Sequence, residues 1–381
     1  MIDRAIVYLP ESESRLWAVR RIAGRTVLLR VLKAASRAGI RAIGLPGILR
    51  GNAEERELRS VQAGVVWLDR LSPEERSAFT AAPALLLPAN ALLSQARLRA
   101  LAGMDGGGDG ATLEESKGIS APVLLAPAGL VADLWERLSE GTPVGDEVEA
   151  HIREKRPAFL TGEGSLIPVT DSVSLRSADE ALYQSLGIDA DSLVDRFINR
   201  KLSRLLTRLL IRLSATPNQV SLMSLALGAT AIWALWEATV ASALLGLVLY
   251  MLAVVADHSD GEIARLTFQE SSFGDWLDFS IDTFILAGAV LAMGITARSA
   301  GGALMAVAGG CAAFGVIMSA LLARFHARAG SGGERLGDTL RRMGNRDPFY
   351  RQGVRSSLNN VHTRDGRGDR VVGTRLFPRR S

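Results

Sequence analysis

One cysteine, four lysines and no leader-like start are what this sequence has least of, and each scarcity closes a line of reading. Cys311 alone excludes an intrachain disulfide, and its place in an apolar run predicts a buried, inert thiol. Of 44 basic residues only Lys33, Lys117, Lys155 and Lys201 are lysine, a coding bias that carries no functional information. The amino end opens on a short strand-like run, not on a basic stretch followed by a long apolar one. No secretory signal is read there, and the amino end is expected in the cytoplasm. Charge is missing altogether from Ser214 to Trp236, from Ala238 to Ala256 and from Ser299 to Ala323. Each of these runs nears or exceeds the ~20 apolar residues that cross a bilayer. With 48% hydrophobic residues and a mean hydropathy of +0.17, a membrane part is expected, and 381 residues leave room for two domains.

The first half reads as an α/β domain with a mainly parallel sheet, because short apolar runs alternate with helical patterns from Ala5 to about Thr170. Strands are expected at 5–9, 40–45, 64–68, 84–88 and 122–126, and amphipathic helices from Val27 to Ala38 and from Ala91 to Ala102. The glycine-rich run at 103–110 reads as a solvated loop, and residues 158–170 as a hairpin around the GlyGluGly at 162–164. A basic amphipathic helix follows at 191–213. Phe197, Leu202, Leu205, Leu206, Leu209 and Leu213 share one side, while Arg196, Arg200, Arg204, Arg208 and Arg212 recur every four residues on another. Such a helix suits a membrane interface, its leucines toward lipid and its arginines among anionic headgroups.

An all-α polytopic membrane domain is expected after it. ThrProAsn at 216–218 starts the first span, and a fourth span, from about Phe273 to Ala297, is interrupted only by Asp275, Asp278 and Asp282 near its start. Trp233 and Trp236 at the far end of the first span read equally as an interfacial belt or as core packing. The loops at 237–239 and 297–301 are short and nearly neutral, whereas arginines flank the opposite ends. That bias places the amino-terminal domain in the cytoplasm, below the cell (inner) membrane. The expected organisation is thus an α/β domain at 1–175, a helical linker with the interfacial helix at 176–213, four spans at 214–350 and a basic tail at 351–381.

Between two of the spans lies the chemistry. Asp257, Asp260 and Ala264 are spaced by three and four, as are Gly274, Asp278 and Asp282, so each set lies along one face of a helix. Carboxylates among apolar runs are costly to bury and point to function, most simply as ligands of hard divalent cations such as Mg2+ or Mn2+. Two such cations would neutralise a pyrophosphate and orient it for in-line attack. Gly261 and Ala264 have almost no side chain, which leaves room for a ligand against the helix backbone. Arg265 offers a planar fork for phosphate or carboxylate. His258 and Glu262, inside the same stretch, read as solvated or as supporting residues and not as ligands.

The spacing Asp-x2-Asp-Gly-x2-Ala-Arg-x8-Gly-x3-Asp-x3-Asp, from Asp257 to Asp282, resembles without a gap the signature of the CDP-alcohol phosphotransferase family. The resemblance implies that Asp257, Asp260 and Asp278 hold two divalent metals against the CDP pyrophosphate. It implies that Asp282 both touches a metal and takes the proton of the acceptor hydroxyl. Gly261, Ala264 and Arg265, with Asn218 as a lesser member, would shape the nucleotide site. The partners implied are a CDP-alcohol donor, an alcohol acceptor, membrane lipids and a second copy of the chain in a homodimer, with no nucleic acid. A competing reading is a catalytically inactive membrane-anchored scaffold derived from the same family.

The first domain loosely resembles the sugar-phosphate nucleotidyltransferases that are fused to the phosphotransferase in di-myo-inositol-phosphate phosphate synthase-type proteins. It departs from them where chemistry would matter. After the first strand the chain reads ProGluSerGluSerArgLeuTrp (10–17), with no glycine to let backbone amides cradle a triphosphate and with Glu11 and Glu13 to repel one. Asn90 stands where that family carries a metal-binding aspartate. A degenerate domain is therefore expected. The family fold has six spans, and ArgAspProPheTyr (346–350) resembles the start of the fifth, which gives Arg346 a place near acceptor phosphate. From Arg351 to Ser381 there are eight arginines and no apolar run, which reads either as a disordered basic tail or as a frameshifted gene end.

Overall fold

The computed structural model describes residues 2–51, 55–104, 109–113, 121–160, 166–186, 199–237 and 239–329. The run at 105–108, the GlyGluGly at 162–164, the segment 191–198, Arg346 and the tail at 351–381 lie outside the described residues.

The chain opens with β1 (Arg4–Tyr8), the short α1 (Ser14–Ala18), the strands β2 (Arg21–Ile22) and β3 (Arg25–Thr26), and α2 (Val27–Arg37). There follow β4 (Ala42–Leu45), α3 (Glu55–Arg59), β5 (Gly64–Trp67), α4 (Pro73–Thr80), β6 (Ala84–Pro88), β7 (Ala91–Leu93) and α5 (Gln95–Ala102). Then come β8 (Ala111–Leu113), β9 (Leu124–Ala126), α6 (Ala128–Asp133), α7 (Trp135–Glu140), α8 (Gly145–Lys155), β10 (Ala158–Leu160), β11 (Leu166–Pro168) and α9 (Ser172–Gln184).

Seven strands form one sheet in the order β10-β8-β9-β6-β1-β4-β5, and β9 alone runs antiparallel to its neighbours. The continuous apolar run of β1 suits a strand covered on both faces. Ala5, Val7 and Leu9 pack with Leu28 and Leu32 of α2 and Leu98 of α5. Ile6 and Tyr8 pack on the other face with Trp135 of α7 and Val148 of α8.

Two local readings are corrected, and one pairing explains both. Residues 158–170 are no hairpin: β10 joins the sheet edge beside β8, while β11 pairs with β7 in a separate ribbon, Leu166 opposite Leu93 and Pro168 opposite Ala91. The same ribbon turns Ala91–Leu93 into a strand, so the helix expected from Ala91 starts only at Gln95. Pairing with a segment more than seventy residues away overrides the local helical pattern.

The membrane part comprises α10 (Arg200–Arg212), α11 (Pro217–Trp236), α12 (Val240–Thr267), α13 (Ser272–Thr296), the short α14 (Arg298–Gly301) and α15 (Ala303–Ala329). Among the described residues α11, α12, α13 and α15 are each long and apolar enough to cross a membrane. Their starts follow from capping chemistry. Thr216 accepts from the backbone of Gln219 with Pro217 in the first turn, and Thr239 does the same with Ser242. Ala253, Ile281 and Ile285 form the contact between α12 and α13, flanked by Leu225 of α11. A Cβ at Gly294 would lie 2.4 Å from the Cα of Gly309, so α13 and α15 cross backbone to backbone there.

Leu202, Leu205 and Leu209 of α10 and Leu213 just beyond it are exposed, as the amphipathic pattern requires, whereas Leu206 turns inward toward Val220 and Ile263. Trp233 and Trp236 are 62% and 55% exposed, so core packing is not what places them at the end of α11. Cys311 is exposed, not buried. Its helix, α15, packs chiefly on α13 and leaves most of its circumference uncovered.

Candidate active site

The short connection between α12 and α13 reverses the chain, and the two helices, each packed on α11, bring their acidic faces together. Phe268 ends α12 in the left-handed conformation, φ +59°, and the Ser271 hydroxyl accepts the backbone N–H of Gly274 at 3.0 Å to start α13. One carboxylate oxygen each of Asp257, Asp278 and Asp282 then lie within 4.8 Å of one another. Hard oxygen ligands at such separations match what a divalent cation with metal–oxygen bonds of roughly 2.0–2.6 Å draws together. The donor set therefore fits the Mg2+ or Mn2+ that the sequence implies.

Asp260 stands apart from that trio. It is 4% exposed and accepts a hydrogen bond from the Ser221 hydroxyl of α11. It faces a polar cavity of about 310 Å³, whose walls also carry Asn218, Gly261, Ala264, Arg265 and Asp278. All four residues expected to shape a nucleotide site thus share one cavity with two of the four aspartates. A Cβ at Gly261 would meet nothing closer than the Arg265 guanidinium at 3.5 Å. The surrounding side chains leave room for a Cβ there.

A second cavity, of about 430 Å³, lies on the other side of the acids. Asp257 and Asp282 line it with Tyr250, His258, Phe279, Thr283 and Ser319. The aspartates therefore form the partition between the two spaces, Asp260 and Asp278 toward one and Asp257 and Asp282 toward the other.

Glu262 is not solvated. It is fully buried on the far side of α12, where Ser203 and Thr207 of α10 donate to its two oxygens at 2.9 and 2.8 Å. His258 is half-buried, with Nδ1 2.8 Å from the Val254 carbonyl. Sequence reasoning did not find Ser221, the Glu262 clasp or Arg324, whose guanidinium sits 4.5 Å from the Phe279 ring centre. Ser221 lies one helical turn after Asn218, and that i, i+3 relation was the signal available for it.

Four apolar helices around a carboxylate cluster that parts a polar from a more apolar cavity define a polytopic membrane protein with a site suited to cation-assisted transfer. Among known families, residues 214–337 match the model of the CDP-alcohol phosphatidyltransferase family. The family transfers a phosphoryl group from a CDP-alcohol. The match begins at residue 214 and does not reach the α/β domain. Among curated proteins none matches the chain.

Proposed function

We propose that this protein transfers a substituted phosphoryl group from a CDP-alcohol to the hydroxyl of a second alcohol, releasing CMP. The observation that carries the reading is the aspartate partition, with the whole expected nucleotide set in one cavity and Asp282 in the other. The CDP moiety would occupy the polar cavity, against Gly261 and Ala264, with Asn218 at its wall and Arg265 toward the pyrophosphate. The acceptor alcohol would enter the second cavity.

Asp257, Asp260, Asp278 and Asp282 would hold the divalent ions, Asp260 kept in place by Ser221. When bound, the ions would neutralise the pyrophosphate and stabilise the leaving phosphate. Asp282 would accept the acceptor hydroxyl proton as the alcohol oxygen forms its bond to the phosphorus that bears the donor alcohol. The phosphoanhydride bond breaks in the same step, and the bridging oxygen departs with CMP. Its setting would be the cell membrane with the α/β domain in the cytoplasm, and its working unit, by the family resemblance, a homodimer. The reading is tested by incubating the full chain in lipid nanodiscs with Mg2+ or Mn2+ and a panel of CDP-alcohol and acceptor pairs. CMP release coupled to a new phosphodiester supports it. Nucleotide binding without CMP release from any pair would favour the inactive scaffold.

A further inference from the structure

The α/β domain has no part in the reaction written above, yet it grips the polypeptide where α12 turns into α13. The last carbonyls of a helix lack partners within it. Here two of them are taken by arginines of the other domain: Arg30 donates to the Leu266 carbonyl at 2.9 Å, and Arg25 to that of Thr267 at 3.0 Å. Cations at a helix carboxyl end are also favoured by its dipole. Arg30 is 5% exposed and donates to the carbonyls of Ile22 and Ala23 at 2.8 and 3.1 Å, so its guanidinium is locked into the β2–β3 hairpin. Burial lowers Arg30 to about 10, with Asp179 opposing the shift.

The next residue, Phe268, is in the left-handed region, which a non-glycine residue occupies at a cost and which persists only where the surroundings enforce it. Its ring packs against the core of the α/β domain and lies 5.3, 5.8 and 5.1 Å from the cations of Arg30, Lys33 and Arg37. Two residues further, Glu270 forms an ion pair with Arg37 at the end of α2. Glu270 also lines the polar cavity beside Ser271, the residue that starts α13. The grip therefore leads without interruption into the cavity rim and into the helix that carries Asp278 and Asp282.

We infer that the amino-terminal domain is a positioning device for the donor cavity: by holding residues 266–270 it fixes the α12–α13 turn and, through Arg37, orients Glu270 at the cavity rim. This inference rests on the reading that the cavity takes the CDP moiety. Arg37 and Phe268 act through the turn and touch no substrate. A change of state in the α/β domain would reach the membrane site by this route.

The test is the affinity of the full chain in nanodiscs for CDP with Mn2+, measured by calorimetry together with the unfolding temperature of each variant. Arg37→Ala, on the surface, is expected to weaken CDP binding about 3- to 10-fold, as loss of one ion pair and one ring contact implies. Arg37→Lys should recover most of that loss because an ammonium still reaches Glu270. In the Arg37→Ala background, Glu270→Gln should add little, since the pair acts as one unit. Phe268→Ala should weaken CDP binding at least as much. CDP affinity within twofold of wild type in both Arg37→Ala and Phe268→Ala overturns the inference and leaves the site reading standing. A wild-type protein that binds no CDP overturns both.

Discussion

Asp282 is the residue to which the proposed reaction assigns the proton transfer, and its separation from Asp278 by one helical turn gives the two carboxylates different neighbours. Asp278 faces the polar cavity and Asp282 the second one. Asp282→Asn keeps size and one ligating oxygen but removes the base, so turnover should fall about 10²- to 10⁴-fold while CDP-alcohol binding survives. Asp278→Asn should instead weaken metal-dependent nucleotide binding. Near-normal turnover of Asp282→Asn at saturating metal would remove it from the role of base. The acid positions were legible because i, i+3 and i, i+4 spacings put each pair along one side of its helix whatever the tertiary structure. The bond from Ser221 to Asp260 was not legible, because it joins two helices whose contact no local pattern encodes. Ser221→Ala should leave a buried carboxylate short of one donor and weaken nucleotide binding, which the same binding measurement would show.

At the scale of elements, the caps, the spans and the amphipathic face of α10 were readable from local chemistry. The segments that failed, the ribbon of β7 with β11 and the outward-facing Cys311, depend on partners remote in sequence or on how much of a helix its neighbours cover. The clasp of Glu262 by Ser203 and Thr207 belongs here too, because it holds the amphipathic helix α10 onto α12. Glu262→Ala leaves two buried hydroxyls without their acceptor and should cost about 1–3 kcal/mol, read as a lowered unfolding temperature in detergent. An unchanged transition would mean that α10 is held by its leucines alone. The Gly294–Gly309 crossing is equally specific. Gly309→Leu forces α13 and α15 apart and should destabilise by about 1–3 kcal/mol. A variant as stable as wild type would show that the two helices do not meet as described.

For the whole molecule, the division into an α/β part and an apolar helical part follows from composition alone, while the relation between the parts does not. The residues that join them, Arg25, Arg30, Arg37, Phe268 and Glu270, look ordinary in the sequence and gain meaning only through the contact they make. In the α/β domain, the two stretches whose sequence departs from the nucleotidyltransferase pattern are tightly packed. The carbonyls of Leu9 and Pro10 accept from Val144 and Gly145 at 3.0 and 3.1 Å, and a Cβ at Gly145 would lie 2.5 Å from the Pro10 oxygen. Asn90 is 1% exposed and exchanges hydrogen bonds with Val169 at 2.9 and 2.7 Å. We expect no pyrophosphate release when the full chain is given CTP, magnesium and sugar or inositol phosphates. Release well above background would restore a catalytic role to this domain. The central claim, that the aspartate partition transfers a phosphoryl group from a CDP-alcohol, is tested most directly by CMP release from CDP-alcohol and acceptor pairs in nanodiscs. Wild type should release CMP in proportion to product, lose that release on chelation and regain it with Mg2+ or Mn2+, with Asp282→Asn reduced at least about 100-fold. CMP release that persists in chelator or in Asp282→Asn at the wild-type rate would contradict the account.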